Sequence, residues 1–177
     1  MSRQFWQEAI WWATADGTAV ANTVTETIIF PNITIPANYM QDGRVIRGTA
    51  YGKLSTTGTP TLIFRLRWGG VSGTVLMLSE TLTMGSGVTS VNWALDFTIQ
   101  SRSNGSSGSL LAMGKLEVHS AAGTVLENVW GVSGYDLPAA VTCDLTADTA
   151  LSLTAQWGTA SASNTLTGLI YTGESLN

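Results

Sequence analysis

Charge is scarce in this chain: Asp, Glu, Lys and Arg together make up 11% of its 177 residues, and threonine alone outnumbers them. The net charge is −4, and Arg44, Arg47, Arg65 and Arg67 are dispersed along candidate strands. Phosphate binding needs a concentrated positive footprint, so nucleic acid is not an expected partner. A single cysteine, Cys143, excludes an internal disulfide, which leaves packing and association between chains to hold the fold and suits assembly in the cytoplasm. The single histidine, His119, has no second imidazole with which to build a metal centre, and no metal or cofactor is expected. Apolar residues nowhere run to the roughly 20 that a membrane helix needs. Gln4, Gln7 and Glu8 interrupt the N-terminus before it could read as an export signal, so no membrane association is expected. Without export, the sequons Asn32-Ile33-Thr34 and Asn104-Gly105-Ser106 are chance matches.

What is present is alternation. In Val91 to Gln100, the residues Val91, Trp93, Leu95, Phe97 and Ile99 share one face. Leu62, Phe64, Leu66 and Trp68 repeat the pattern, with Ile63, Arg65 and Arg67 opposite, as do Leu151, Leu153, Ala155 and Trp157 opposite Ser152, Thr154 and Gln156. Further strands are predicted at about 23–30, 44–54, 74–82, 109–118, 124–130 and 165–172, separated by Gly, Ser, Asn and Pro. Eight or nine such strands at this length form one domain. The predicted fold is an all-β, two-sheet antiparallel sandwich of jelly-roll type over residues 18–177, preceded by an arm over residues 1–17. Two prolines in Pro31 to Gly43 break ladder pairing and predict a crossing between sheets. At an offset of 50 residues, Leu66 and Gly73-Thr74-Val75-Leu76 recur as Leu116 and Gly123-Thr124-Val125-Leu126, which reads as two hairpins of one shape.

Chemical motifs are sparse. Cys143 lies in no nucleophile signature, and His119 reads as a turn residue beside Ser120 to Gly123. Glu26, Glu80, Asp96, Glu117 and Glu127 could supply the two carboxylates that a glycosidase holds roughly 5 to 9 Å apart, but no spacing imposes that geometry. Gly85-Ser86-Gly87 and Gly105-Ser106-Ser107-Gly108 fall between strands and read as turns, not phosphate loops. No catalytic residue is assigned, and the chain is expected not to be an enzyme.

The unusual segment is Phe5-Trp6-Gln7-Glu8-Ala9-Ile10-Trp11-Trp12, with three of the seven tryptophans. A terminus frays unless something holds it, and aromatics dominate interface hot spots. Phe5, Trp6, Trp11 and Trp12 are therefore the expected anchor against a capsid or neighbouring subunit, with packing against the chain's own sandwich as the alternative. Residues 1–13 could make one or two helical turns, marginal unless packed.

The segments Gly58 to Gly70, Gly73-Thr74-Val75-Leu76, Trp93-Ala94-Leu95 and Ser101 to Leu110 resemble virion proteins of tailed bacteriophages, across roughly residues 44–172. The resemblance implies a capsid decoration, or cement, protein: commonly a homotrimer on the outer capsid surface of the virion, bound to the major capsid protein, without cofactor and assembled in the bacterial host cytoplasm. Its rival is a tail-fibre or baseplate module that recognises host surface glycan through Trp130, Tyr135 or Tyr171.

Overall fold

The computed structural model describes residues 7–121, 123–132 and 138–176, and no helix occurs among them. Phe5, Trp6 and Tyr135 lie outside the described residues. The chain begins with β1 (Gln7–Trp12), β2 (Val20–Ala21), β3 (Thr27–Ile28) and β4 (Ile33–Ile35). The long strands β5 (Val45–Ser55) and β6 (Thr61–Trp68) follow, then β7 (Thr74–Leu78) and β8 (Leu82–Thr83). A meander of β9 (Val91–Ser103), β10 (Gly108–Ala121) and β11 (Thr124–Trp130) leads to β12 (Val141–Cys143), β13 (Thr149–Trp157) and β14 (Thr165–Leu176).

These strands form two antiparallel sheets. The eight-stranded sheet runs β1-β14-β5-β9-β10-β11, with β2 on β14 and β12 on β10. The six-stranded sheet runs β3-β13-β6-β7, with β4 on β13 and β8 on β6. The last two long strands close against the first two, β14 beside β5 in one sheet and β13 beside β6 in the other, which is the winding of a jelly-roll sandwich. The segment from Pro31 to Gly43 carries the chain from β4 in one sheet to β5 in the other, as its prolines predict. The repeated hairpins fall one in each sheet, β6–β7 and β10–β11. Their turns differ: Trp68 faces Thr74 across one, and Ala121 faces Thr124 across the other.

Alternation explains the core. Ile46, Ala50 and Leu54 of β5, Trp93 to Ile99 of β9 and Leu116 and Val118 of β10 point inward from one sheet. Leu62 to Trp68 of β6 and Leu151 to Trp157 of β13 meet them from the other. The inner layer holds two aromatic clusters, Phe64 with Trp93 and Trp130, and Trp11 with Phe97, Tyr171 and Phe30. Rings of that size fit because glycine occupies facing positions: a Cβ at Gly173 would overlap the Trp11 indole, and one at Gly48 the Phe97 ring.

The expected count of eight or nine strands becomes fourteen among the described residues, because short ladders flank the long ones. Thr23 to Phe30 pairs only at Thr27–Ile28, and Thr74 to Leu82 breaks after Leu78. The expected helical turns are corrected over the described part of the N-terminus: Gln7–Trp12 is the edge strand β1, paired antiparallel with β14. A helix this short has few internal bonds, whereas here β14 supplies a ladder and Gly173 a seat for Trp11.

Candidate functional site

Alternation puts the two adjacent indoles on opposite faces, and a register shift between Ala9 and Trp11 decides which of them faces inward. Trp11 turns inward, 5% exposed and packed 5.4 Å from Tyr171, and Trp12 turns outward, 63% exposed. Of the four predicted anchor residues, Trp11 thus belongs to the protein's own core and Trp12 alone among the described ones is presented to solvent. Trp12 begins a row that crosses the whole eight-stranded sheet on its outer face: Trp12, Thr172, Thr49, Asp96, Lys115 and Val129, each directly opposite the next. Parallel rows carry Glu174, Arg47, Thr98 and Met113 on one side and Ile170, Tyr51, Ala94, Glu117 and Glu127 on the other.

This face is the candidate site, for a simple reason of distribution. Among the described residues, the exposed large apolar side chains are Trp12, Tyr51, Met113, Val125, Val129, Ile170, Val24 and Val71. The first six project from this one face, and a clustering of that kind marks an interaction surface more often than scattered exposure does. Two shallow depressions indent it: one of about 230 Å³ between Trp12, Arg47, Thr172 and Glu174, and one of about 360 Å³ between Arg47, Asp96, Met113, Lys115 and Val129.

Polar groups fix the surface between the apolar ones. Arg47 pairs with Glu174 at 3.6 Å, Glu174 also accepts from the Gln7 amide, and the Thr49 and Thr172 hydroxyls share a 2.8 Å hydrogen bond. Lys115 donates to Glu117 at 2.6 Å and lies 3.8 Å from Glu127. The Glu117 hydrogen bond, with the charges of Glu117 and Glu127, holds the Lys115 ammonium above its ordinary pKa.

The predicted carboxylates are distributed over the molecule. Glu117 and Glu127 are brought together, opposite one another on β10 and β11, on an open face with Lys115 against both. Asp96 lies on the same face, and Glu80 is exposed elsewhere with its backbone N–H on Asn128. Glu26 belongs to the opposite side of the sandwich. There it accepts from Arg67 Nε at 2.5 Å and Nη2 at 2.8 Å and from Thr154 at 2.6 Å, and it pairs with Arg65 at 3.2 Å. Burial alone would raise the Glu26 carboxyl, but the hydrogen bonds from Arg67 and Thr154 and the two guanidinium charges outweigh it and hold the pKa below the ordinary value.

Cys143 and His119 are not brought together. Cys143 faces Gly108 at one end of β10 and His119 lies near the other, eleven residues along, or roughly 35 Å at strand rise. Burial pushes the Cys143 thiol up to about 11, so it stays protonated. No cluster of three or more His, Cys, Asp or Glu able to hold a metal ion occurs among the described residues. Trp130 and Tyr171, the expected glycan-stacking rings, are corrected: both are fully buried, because each falls on an inward position of its strand. The apolar residues of the outer face were missed by a reading that followed only the inward set; their signal was an apolar side chain in the outward register, as at Val129 between Asn128 and Trp130.

No protein-family model matches the sequence, and no curated protein does either. A solved structure of winged bean acidic lectin complexed with methyl-alpha-D-galactose is similar over 98% of this chain and 100% of that one, at 9% identity and a TM-score of 0.34. That likeness is too loose to carry residues or a ligand across.

Proposed function

We propose that this chain is a non-enzymatic structural module that docks onto a protein lattice through the outer face of its eight-stranded sheet, as a decoration protein of a bacteriophage capsid. The carrying observation is the concentration of six exposed large apolar side chains on that face. The face is broad, only shallowly indented and laced with self-paired charges, which suits burial against another protein surface better than enclosure of a small substrate. Trp12 serves as the aromatic anchor at one edge and Val129 with Met113 as the apolar patch at the other. The phage assignment, the capsid partner and a trimeric state rest on the sequence resemblance. The lack of a disulfide accords with a protein stabilised by its assembly.

Cryo-electron microscopy of the particle that contains the chain tests this reading. Density for the sandwich on the outer shell, with the eight-stranded sheet turned toward the capsomers, is the expected result. Density confined to the tail tip overturns it in favour of a receptor-binding module, for which Trp12 is the ring open to a sugar. Light scattering of the purified chain reads the subunit number directly.

A further inference from the structure

The segment Asn104-Gly105-Ser106, idle as a glycosylation sequon, carries another chemistry in this fold. It lies in the turn between β9 and β10, where Asn104 and Gly105 are half-buried and Ser106 and Ser107 are exposed. The Gly105 N–H belongs to no strand ladder: its one partner among the described residues is the Asn104 side-chain carbonyl oxygen, 2.7 Å away. The backbone nitrogen is thus held against the carbonyl group one residue behind it, with Asn104 Cγ one bond beyond the contacted oxygen. That is the approach to a five-membered ring, closed when the nitrogen attacks Cγ. Gly105 sits at φ +106°, which glycine adopts without strain, and without a Cβ it leaves its nitrogen unshielded. No other asparagine of the chain is followed by glycine. Asn32, Asn128 and Asn164 precede Ile33, Val129 and Thr165, whose branched Cβ crowds the same approach.

We propose that Asn104 is a self-modification site, converted in the folded protein to aspartate and isoaspartate through a succinimide with Gly105, and that the conversion loosens this end of the sandwich. The Gly105 nitrogen forms a bond to Asn104 Cγ, the Cγ–Nδ2 bond breaks, and Nδ2 leaves as ammonia with the proton that Gly105 gives up. Water then opens the ring. Addition at Cγ yields aspartate, and addition at the Asn104 backbone carbonyl yields isoaspartate, whose main chain runs through Cβ and Cγ. Water is the one co-reactant. The turn that changes is a tie between loops: the Gly105 carbonyl accepts from the Gly108 and Leu145 N–H groups, each at 3.0 Å, and the Asn104 N–H donates to Asp42 Oδ1 at 2.6 Å. Either product puts a carboxylate where a neutral amide stood, beside the Asp42 carboxylate. Isoaspartate also lengthens the main chain of the turn, which pulls the Gly105 carbonyl from Leu145. None of these residues belongs to the open apolar face, so the site does not depend on the docking reading.

The test incubates the full folded chain at neutral pH over weeks, beside a synthetic peptide spanning Ser101 to Leu110 and the urea-unfolded chain. Peptide mapping by mass spectrometry reads the gain of one mass unit, and methyl transfer by an isoaspartate-specific methyltransferase reads isoaspartate. The folded chain is expected to gain both at Asn104, at a rate within about tenfold of the peptide's, since a misplacement of about 1 Å would cost about a hundredfold. Asn104→Gln, whose longer side chain would have to close a six-membered ring, is expected to gain neither. The Gly108 and Leu145 amides are expected to exchange hydrogen faster in the aged protein than in the fresh one. Conversion confined to the peptide and the unfolded chain, a folded rate outside that window, conversion spread evenly over the other asparagines, or unchanged exchange at Leu145 after conversion overturns the proposal.

Discussion

On the six-stranded sheet the outward side chains of β6 and β13 are covered by the protein itself, whereas those of β5, β10 and β11 on the eight-stranded sheet meet solvent. Ser152 and Thr154 point away from the core yet are buried, because Asn32 and Glu26 reach over them. Arg65 and Arg67 share Glu26, Arg67 also donates to the Gly73 carbonyl, and Gln156 donates to the Val24 carbonyl. On the other sheet the outward positions hold Tyr51, Met113, Val125, Val129 and Ile170, and nothing among the described residues covers them. One outer face is sealed with polar bonds internal to the protein and the other is left apolar and open. Surface that contributes nothing to the fold yet stays apolar points to a contact outside the fold.

The largest effect is expected where the open face is founded. In Gly173→Ala the new methyl group runs into the Trp11 indole, which is walled by Phe97 and Tyr171 and cannot retreat. A loss of about 3 kcal/mol in urea unfolding is expected, together with displacement of β1 and hence of Trp12. Full stability in this variant would show that β1 does not depend on the Trp11 seat.

On the sealed face, Arg67→Ala removes both hydrogen bonds to Glu26 and the one to Gly73, and leaves a mostly buried carboxylate with Arg65 and the Thr154 hydroxyl. A cost of about 2 kcal/mol is expected, below that of breaking a fully buried pair because Arg65 remains. Docking on the particle should be unchanged. A loss of docking in a folded Arg67→Ala protein would erase the distinction between the two faces.

Glu26 also gives the sealed face a pH dependence. Its pKa is lowered in the folded protein from an ordinary value of 4.5, so its contribution is fully present above that value and is lost as pH falls through the lowered folded value. Wild-type stability should therefore fall more steeply than that of Glu26→Gln as pH is lowered from above 4.5 through the folded value. Parallel acid profiles for the two proteins would remove Glu26 as the cause.

Most of the fold was legible because its long strands alternate without interruption: β6, β9 and β13 are read from Leu62 to Trp68, Val91 to Ile99 and Leu151 to Trp157 directly. The short ladders were not, since two or three residues carry no period, and β3 and β4 exist only because β13 offers them partners. Trp11 and Trp12 were legible as special residues but not as opposites. The shift at Ile10 that decides which of them faces inward depends on the space above Gly173, which is a tertiary fact. The apolar outer face was written in the sequence as outward-register residues. It goes unread when apolar residues are assumed to mark only the inside.

The smallest effect on stability carries the sharpest form of the contrast. Met113→Thr, Val129→Thr and Ile170→Thr combined should change the unfolding free energy by less than about 0.5 kcal/mol, because exposed positions lose little transfer energy and threonine suits a strand. The same protein should dock on the particle at least about tenfold more weakly, since an apolar contact of this size is worth more than the factor-of-ten increment. Stability and docking are then uncoupled on this face, while on the sealed face a substitution moves stability alone. A triple variant that unfolds readily would mean that these side chains belong to the fold after all, and one that docks with wild-type affinity would mean that the open face is turned away from the partner.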